Sequence, residues 1–424
     1  METIFYPPQD AWQELCRRNI PADDAGVVAT VERVVADVAR RGDAALREYI
    51  AMYDGVAGSS LTVSDTEWEE GLRTVDPQVA RAIDAAADNI RKFHAVQRPE
   101  AEQVETMPGV VCRRIPVPIE RVGLYVPGGR APLLSTVLML GVPAREAGCR
   151  RVIMCTPPRP DGSVDAGILY AARVAGVDVI CKAGGAHAIA AMAYGTETLE
   201  RVSKIFGPGN RYVTRAKQLV SAVTAIDMPA GPSEVMILAD HTAIPSYVAA
   251  DMLSQAEHGP DSQSMLVTTD AELAAAVEAE VERLAGTLGR RECIDSSLSH
   301  SRIIVVADRD EAVAIANLYA PEHLIVSMAD AEALVPRILN AGSVFLGNFS
   351  PESAGDYASG TNHTLPTGGW AASMSGVSTE SFMRMMTCQQ LTRPGLVALS
   401  PVITALARAE GLEAHALAVN IRMQ

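Results

Sequence analysis

With 424 residues, 48% hydrophobic and 21% charged, the chain has the composition of an ordinary globular protein and enough length for more than one domain. Its 36 Lys and Arg stand against 51 Asp and Glu, a net charge of −15, which argues against non-specific binding to nucleic acid or an anionic membrane and favours a small-molecule partner. The seven cysteines (Cys16, Cys112, Cys149, Cys155, Cys181, Cys293 and Cys388) are scattered, odd in number and never spaced C-x-x-C, so neither a disulfide framework nor a thiolate metal site is expected.

The opening METIFYPPQDAWQEL carries no basic segment followed by an apolar stretch, and no run has the length of a membrane span, so a cytoplasmic location is expected. Residues 8–105 read mostly as helix, with apolar positions at helical spacing over 27–39 and 79–93. From about Val110, short β-branched runs at 123–126, 152–155, 177–181, 204–206 and 235–239 alternate with Ala-rich helices, the pattern of parallel α/β structure. Asp165 is placed to cap a helix over 166–175 that Gly176 closes. A second α/β stretch covers about 264–348, with strands at 264–268, 303–307, 324–327 and 343–346 and a helix at 311–318. The tail begins with the Met-rich 382–388 and ends in a helix that Ser400 caps, Pro401 opens and Gly411 terminates. Too small to fold alone, this tail must dock, and it carries Glu410 and His415 with it.

Four motifs concentrate carboxylates, amides and histidines: SQAEHGPDSQ at 254–263, APEHL at 320–324, GDYASGTNH at 355–363 and EGLEAH at 410–415. Gln255 and His258, three apart at a predicted helix end, can face one side; with Asp356 and His415 they form a set of two nitrogens and two oxygens suited to a borderline divalent ion. The alternative is a polar helix end. No H-E-x-x-H pattern is present, which weakens a hydrolase reading. Glu322 and His323 follow Pro321 at a predicted turn or helix start, and each is a candidate general base; alone, the pair also reads as a helix N-terminal charge beside a solvated histidine. Glycine-rich loops at 127–129, 184–185 and 207–210 follow predicted strands, where open α/β sheets bind ligands, and a fourth lies at 230–233. None spells G-x-G-x-x-G, and tight turns need glycine in any case.

The segments RVGLYVPGGRAP (121–132), KIFGPGNRYVT (204–214), IDMPAGPSEV (226–235), SPESAGDYASGTNHTLPTGG (350–369) and EGLEAHALAVNIR (410–422), with the motifs above, resemble the histidinol dehydrogenase family over nearly the full length. The resemblance implies two interleaved, incomplete Rossmann-like parallel-sheet domains with a helical N-terminal segment and a small helical C-terminal tail. The expected units are 1–21; 22–124 plus 235–377 for substrate, metal and catalysis; 125–234 for NAD; and a 378–424 tail that docks on a partner subunit. It further implies the last step of histidine biosynthesis: a four-electron, NAD-dependent oxidation of L-histidinol through L-histidinal to L-histidine by a zinc-containing homodimer with shared active sites. The implied metal ligands are Gln255, His258, Asp356 and, from the partner, His415, all of which also contact substrate. Glu322 and His323 fall on the catalytic pair, His323 also facing substrate. Ser233, His363 and Glu410 fall on substrate contacts, and Tyr125, His187 and Asn210 on cofactor contacts. His187 stands where the family usually has Gln, and Arg130 where small residues are common. A related dehydrogenase of a sulfonated polyol, resembling sulfopropanediol dehydrogenase, is the alternative within the superfamily. A metal-dependent binding protein without redox activity is the alternative outside it.

Overall fold

Short runs of Val, Ile and Leu, each bounded by Gly, Pro or Asp, become the strands of two parallel sheets. The computed structural model describes residues 1–18, 25–128, 132–228 and 231–424; Arg130 and the middle of two glycine-rich loops lie outside them. In chain order the strands are β1 (Glu2–Phe5), β2 (Glu102–Met107), β3 (Val110–Pro118), β4 (Arg121–Tyr125), β5 (Arg151–Thr156), β6 (Val179–Lys182), β7 (Lys204–Phe206) and β8 (Ala225–Ile226). Then follow β9 (Glu234–Ala239), β10 (Gln263–Thr268), β11 (Arg302–Val305), β12 (His323–Ser327), β13 (Ser343–Leu346) and β14 (Met383–Leu391).

One sheet has the order β6-β5-β4-β7-β8 and the other β1-β11-β10-β9-β12-β13, every neighbour pair parallel. Leaving β1 aside, each begins with its central strand (β4 or β9), adds two strands to one side, then returns to add two on the other. This is the Rossmann order without its sixth strand, and each sheet has one place where successive connections diverge. The first residues of the chain, besides their helical turns, supply β1 as an outer strand in register with β11.

Period-two alternation sends each strand's side chains to two cores. Val122, Leu124, Val152 and Met154 point to one face of the smaller sheet, where Trp68, Ile83 and Ile90 cover them. Ile153 and Cys155 point to the other, against Val31, Val34 and Val35 of the helix Ala25–Arg41. The N-terminal helices therefore pack on the smaller sheet, and β4 straddles the expected boundary at 124/125. Among the described residues no helix is long and apolar enough to cross a membrane.

A third, antiparallel sheet, β14-β3-β2, was not expected. The Met-rich 382–388, read as the start of a helical tail, is the beginning of β14, paired with β3 from Met383↔Pro118 to Leu391↔Val110. Its mixed, half-exposed pattern packs weakly and gives no clean alternation to read. The following helix also starts earlier than expected. It spans Arg393–Ala409, with the Thr392 hydroxyl accepting from Gly395 N–H at 3.2 Å and Pro394 in its first turn. Ser400 and Pro401 lie inside it, although Gly411 does follow its end in the left-handed conformation.

Gly207, after β7, holds φ at +120°, and a Cβ there would run into the carbonyl oxygen of Tyr125. Its N–H donates to Asp227 at 2.7 Å and its carbonyl accepts from Lys217 at 2.8 Å, with Lys217 and Asp227 themselves a buried ion pair. Gly207→Ala is expected to destabilise the protein by about 1–3 kcal/mol, the usual cost of forced backbone strain. Urea denaturation measures this, and an unchanged midpoint would contradict it.

Candidate active site and metal centre

The three expected cofactor residues line one cavity of about 890 Å³ beyond the C-terminal ends of β4, β5, β6 and β7, a span that includes the point between β4 and β7 where the connections diverge. Tyr125 ends β4 and is buried; its hydroxyl accepts from Gly185 N–H at 3.0 Å, and burial raises its pKa. Asn210 caps the helix Arg211–Val220, its side-chain oxygen accepting from Tyr212 and Val213 N–H. His187 is buried on the helix Gly185–Tyr194, with Nε2 3.0 Å from Asp54 Oδ2 and its ring stacked on Tyr53. Sequence reading missed Asp54, which also accepts from Gly184 N–H at 3.1 Å. It sits in a helical turn whose pattern marks only a surface element.

In the larger sheet the candidate chemistry gathers at the N-terminal ends of β9 and β12, the reverse of the usual arrangement. Seven residues, 227–233, link β8 of one sheet to β9 of the other. At roughly 3.3–3.6 Å per residue, so short a link keeps the C-terminal edge of the smaller sheet near the N-terminal edge of the larger. His363 makes a second link, its Nε2 3.2 Å from the hydroxyl of Ser135, on the helix that follows β4. Neighbouring Asn362 donates to Met139 O at 2.6 Å and fixes that loop. Ser135, also unflagged in the sequence, thus joins the segment that runs from the helix of Asp356 through His363 to the helix after β4.

Glu322 and His323 do not begin a helix. The helix Arg309–Tyr319 ends before them, Pro321 breaks the chain, and His323 is the first residue of β12. Both are buried, at 4% exposure each. Glu322 Oε2 accepts from Glu234 N–H at 3.0 Å, and burial pushes its carboxyl up to about 7 against the pull of His323. His323 Nδ1 lies 3.4 Å from Glu234 O, 3.5 Å from Glu352 Oε1 and 3.8 Å from Glu322 Oε2. Its other nitrogen, Nε2, faces Asp356 Oδ1 at 3.5 Å. Burial disfavours the imidazolium, but the carboxylates of Glu352, Glu322 and Asp356 outweigh it and hold the pKa at about 10.

Gln255, in the last turn of the helix Pro245–Ala256, is completely buried and neither amide atom has a hydrogen-bond partner. His258 follows the helix at the solvent edge, its pKa lowered by desolvation despite Asp356. Ligand atoms of His258, Glu352 and Asp356 lie within 4.8 Å of one another. Burial tends to raise Asp356, yet the hydrogen bond and charge of His323 bring it below the ordinary carboxylate range. Glu352, buried at 1% exposure with both oxygens unpartnered, was missed although it stands in the motif that holds Asp356. Its signal is the four-residue spacing on the helix Glu352–Tyr357, which puts both carboxylates on one side. An imidazole, carboxylates and an amide oxygen with no other partner fit a divalent cation.

Ser233 lies just before β9, its carbonyl accepting from Gln263 N–H at 3.2 Å. Glu410 and His415 do not join the cluster within the chain. They are exposed on the tail, Glu410 closing the helix Arg393–Ala409 and His415 on the helix Glu413–Asn420.

A cleft of about 890 Å³ at the strand ends of one sheet, and in the other a buried Glu–His pair with carboxylates and a histidine able to hold a cation, are the parts an oxidoreductase of the dehydrogenase type needs. The histidinol dehydrogenase family model matches residues 17–423. A histidinol dehydrogenase of Bacteroides fragilis is 52% identical over 100% of this chain and 99% of its own length. One of Xanthomonas axonopodis pv. citri is 53% identical over 93% of this chain and 92% of its own. The crystal structure of histidinol dehydrogenase from Elizabethkingia anophelis superposes with a TM-score of 0.97 at 47% identity, covering 100% of this chain and 98% of that one. The chain belongs to the histidinol dehydrogenase family.

Asp251, one turn before Gln255, has its carboxyl pushed up to about 7 by burial. The native state therefore keeps a proton that the unfolded chain gives up near pH 4, and stability falls as pH rises from there through about 7. Asp251→Asn removes this cost. In chelator-treated protein it is expected to raise Tm more at pH 8 than at pH 5, and an equal shift at both would contradict the assignment.

Proposed function

We propose that the chain oxidises L-histidinol through L-histidinal to L-histidine, the last step of histidine biosynthesis, using two NAD⁺ per turnover and one zinc ion per site. Gln255, His258 and Asp356 hold the ion, and His415 of the partner subunit completes the set in a homodimer. The observation that carries this reading is the buried Gln255 amide, without a partner in its own fold, beside the His258, Glu352 and Asp356 cluster and the Glu322–His323 pair. The dimer is supported by the tail that carries His415, on which Val402, Leu406, Leu417 and Ile421 stay exposed.

When bound, the zinc orients the substrate's imidazole and amine and takes up carboxylate charge. The carboxylates around His323 favour its protonated form; with a cation held by Asp356 that carboxylate would favour it less, and Nε2 would be available to accept a proton. His323 Nε2 takes the substrate hydroxyl proton as hydride leaves the carbinol carbon toward the nicotinamide side. The aldehyde has no hydroxyl to lose until water adds. Glu322, ionised above about 7, takes one proton of that water as it adds, while His323 returns the proton it took to the carbonyl oxygen, which gives the gem-diol and leaves His323 free to accept a hydroxyl proton again as the second hydride leaves. Glu234 N–H steadies the Glu322 carboxylate, and its carbonyl fixes the His323 tautomer. Ser233, His363 and the partner subunit's Glu410 enclose the substrate. Tyr125, His187 and Asn210 line the cleft for NAD⁺.

Purified protein given L-histidinol and NAD⁺ is expected to form two NADH per histidinol, and chelator to stop it. Preferred oxidation of dihydroxypropanesulfonate, or full activity without metal, would overturn the reading. Glu322→Gln is expected to slow the aldehyde step by about 10²-fold, more than the alcohol step, and to remove the rise of that step through about pH 7. Single-turnover traces from histidinol and histidinal separate the two steps; equal losses would contradict the division of labour.

A further inference from the structure

One arginine, Arg18, bonds both chain segments that lead to the Glu322–His323 pair. Arg18 donates from Nε to Glu234 Oε2 at 2.5 Å and from Nη2 to Glu234 Oε1 at 2.9 Å, a two-pronged pairing with a nearly inaccessible carboxylate. Nη2 also donates to the carbonyls of Tyr319 and, at 3.4 Å, Ala320, while the guanidinium lies 3.9 Å over the Tyr319 ring. The Tyr319 hydroxyl meets Glu234 Oε2 at 3.3 Å and Gln263 Oε1 at 2.8 Å.

The two partners of Arg18 converge on the pair. Glu234 is the residue whose backbone N–H holds Glu322 and whose carbonyl faces His323 Nδ1. Tyr319 and Ala320 end the helix that leads, through Pro321, into Glu322, and Ala320 sits in the left-handed region at φ +50°. A non-glycine residue held there is strained and persists only where its surroundings fix it. As a stabilising device this buried charge pair is a poor choice, since desolvation offsets most of its attraction and apolar residues of similar volume serve as well. What the planar guanidinium adds is direction, at both segments that set the pair.

We propose that Arg18 is a positioning residue for catalysis: it locks the start of β9 to the turn before β12 and so sets the distance and tautomer of Glu322 and His323. The inference rests on the assignment of those two residues as the proton-transfer pair.

The test compares Arg18→Ala, Arg18→Lys, Glu322→Gln and His323→Asn in the zinc-loaded protein with NAD⁺ and either histidinol or histidinal. Arg18→Ala is expected to lose about 10- to 100-fold in kcat for both substrates, the scale of a small misplacement of catalytic groups, with KM and zinc per chain changed less than twofold. Arg18→Lys, which keeps the charge but not the fork, is expected to fall between. Millimolar guanidinium is expected to restore part of the activity of Arg18→Ala and none of that of His323→Asn. Wild-type kcat in Arg18→Ala would overturn the proposal, as would activity lost in step with zinc and not restored by guanidinium. If Arg18→Ala does not fold, Glu234→Gln breaks the same pairing with little change of shape, and wild-type kcat there overturns the proposal equally. Wild-type rates in Glu322→Gln and His323→Asn would instead overturn the assignment of the pair, a different failure.

Discussion

A buried amide or carboxylate without a hydrogen-bond partner costs free energy that a folded protein rarely leaves uncompensated. Gln255 is completely buried with neither amide atom hydrogen-bonded, and Glu352 is buried with neither carboxylate oxygen hydrogen-bonded, its nearest charge being His323 at 3.5 Å. Much of the site's behaviour follows from this constraint. Three carboxylates crowd one imidazole, so His323 is driven toward its charged form while burial drives Glu322 toward its neutral one. A divalent cation held by His258 and Asp356 would give those oxygens a partner and offset that charge together.

The fold explains how such a region arises. Two sheets of the same strand order are joined so that the open C-terminal end of one approaches the N-terminal ends of the other's strands. The smaller sheet follows the general rule for open α/β sheets and keeps its cavity at the switch point between β4 and β7. The larger sheet departs from it, and the departure is useful. Strand N-termini present backbone N–H groups, and the N–H of Glu234 binds the Glu322 carboxylate. The link between Ser135 and His363 ties the two regions at side-chain level.

Much of this was legible in the sequence where the signal is local. The parallel strands show because β-branched runs alternate with Ala-rich helices, and Gln255, His258 and Asp356 show because each stands in a short polar motif with Gly or Pro beside it. Pro321 misled: it marks a helix start as often as a chain break, and only pairing with β9 and β13 makes His323 the first residue of a strand. Ser400 and Pro401 misled similarly, since a helix long enough and docked on its neighbour tolerates a proline inside it. Strand β14 could not be read because its pattern is set by pairing with β3, more than 260 residues earlier. Arg18 was illegible for the same reason, its partner Glu234 lying 216 residues away.

The most direct measurement is calorimetric titration of zinc into chelator-treated protein, with thermal unfolding followed at each metal level. One ion bound per chain is expected, with Tm rising as free zinc exceeds its Kd, because the cation binds the folded state and satisfies its buried ligands. Gln255→Leu, which removes the unpartnered amide, is expected to weaken binding while leaving the metal-free protein no less stable. No saturable binding, or a Gln255→Leu variant that binds zinc as wild type does, would contradict the account.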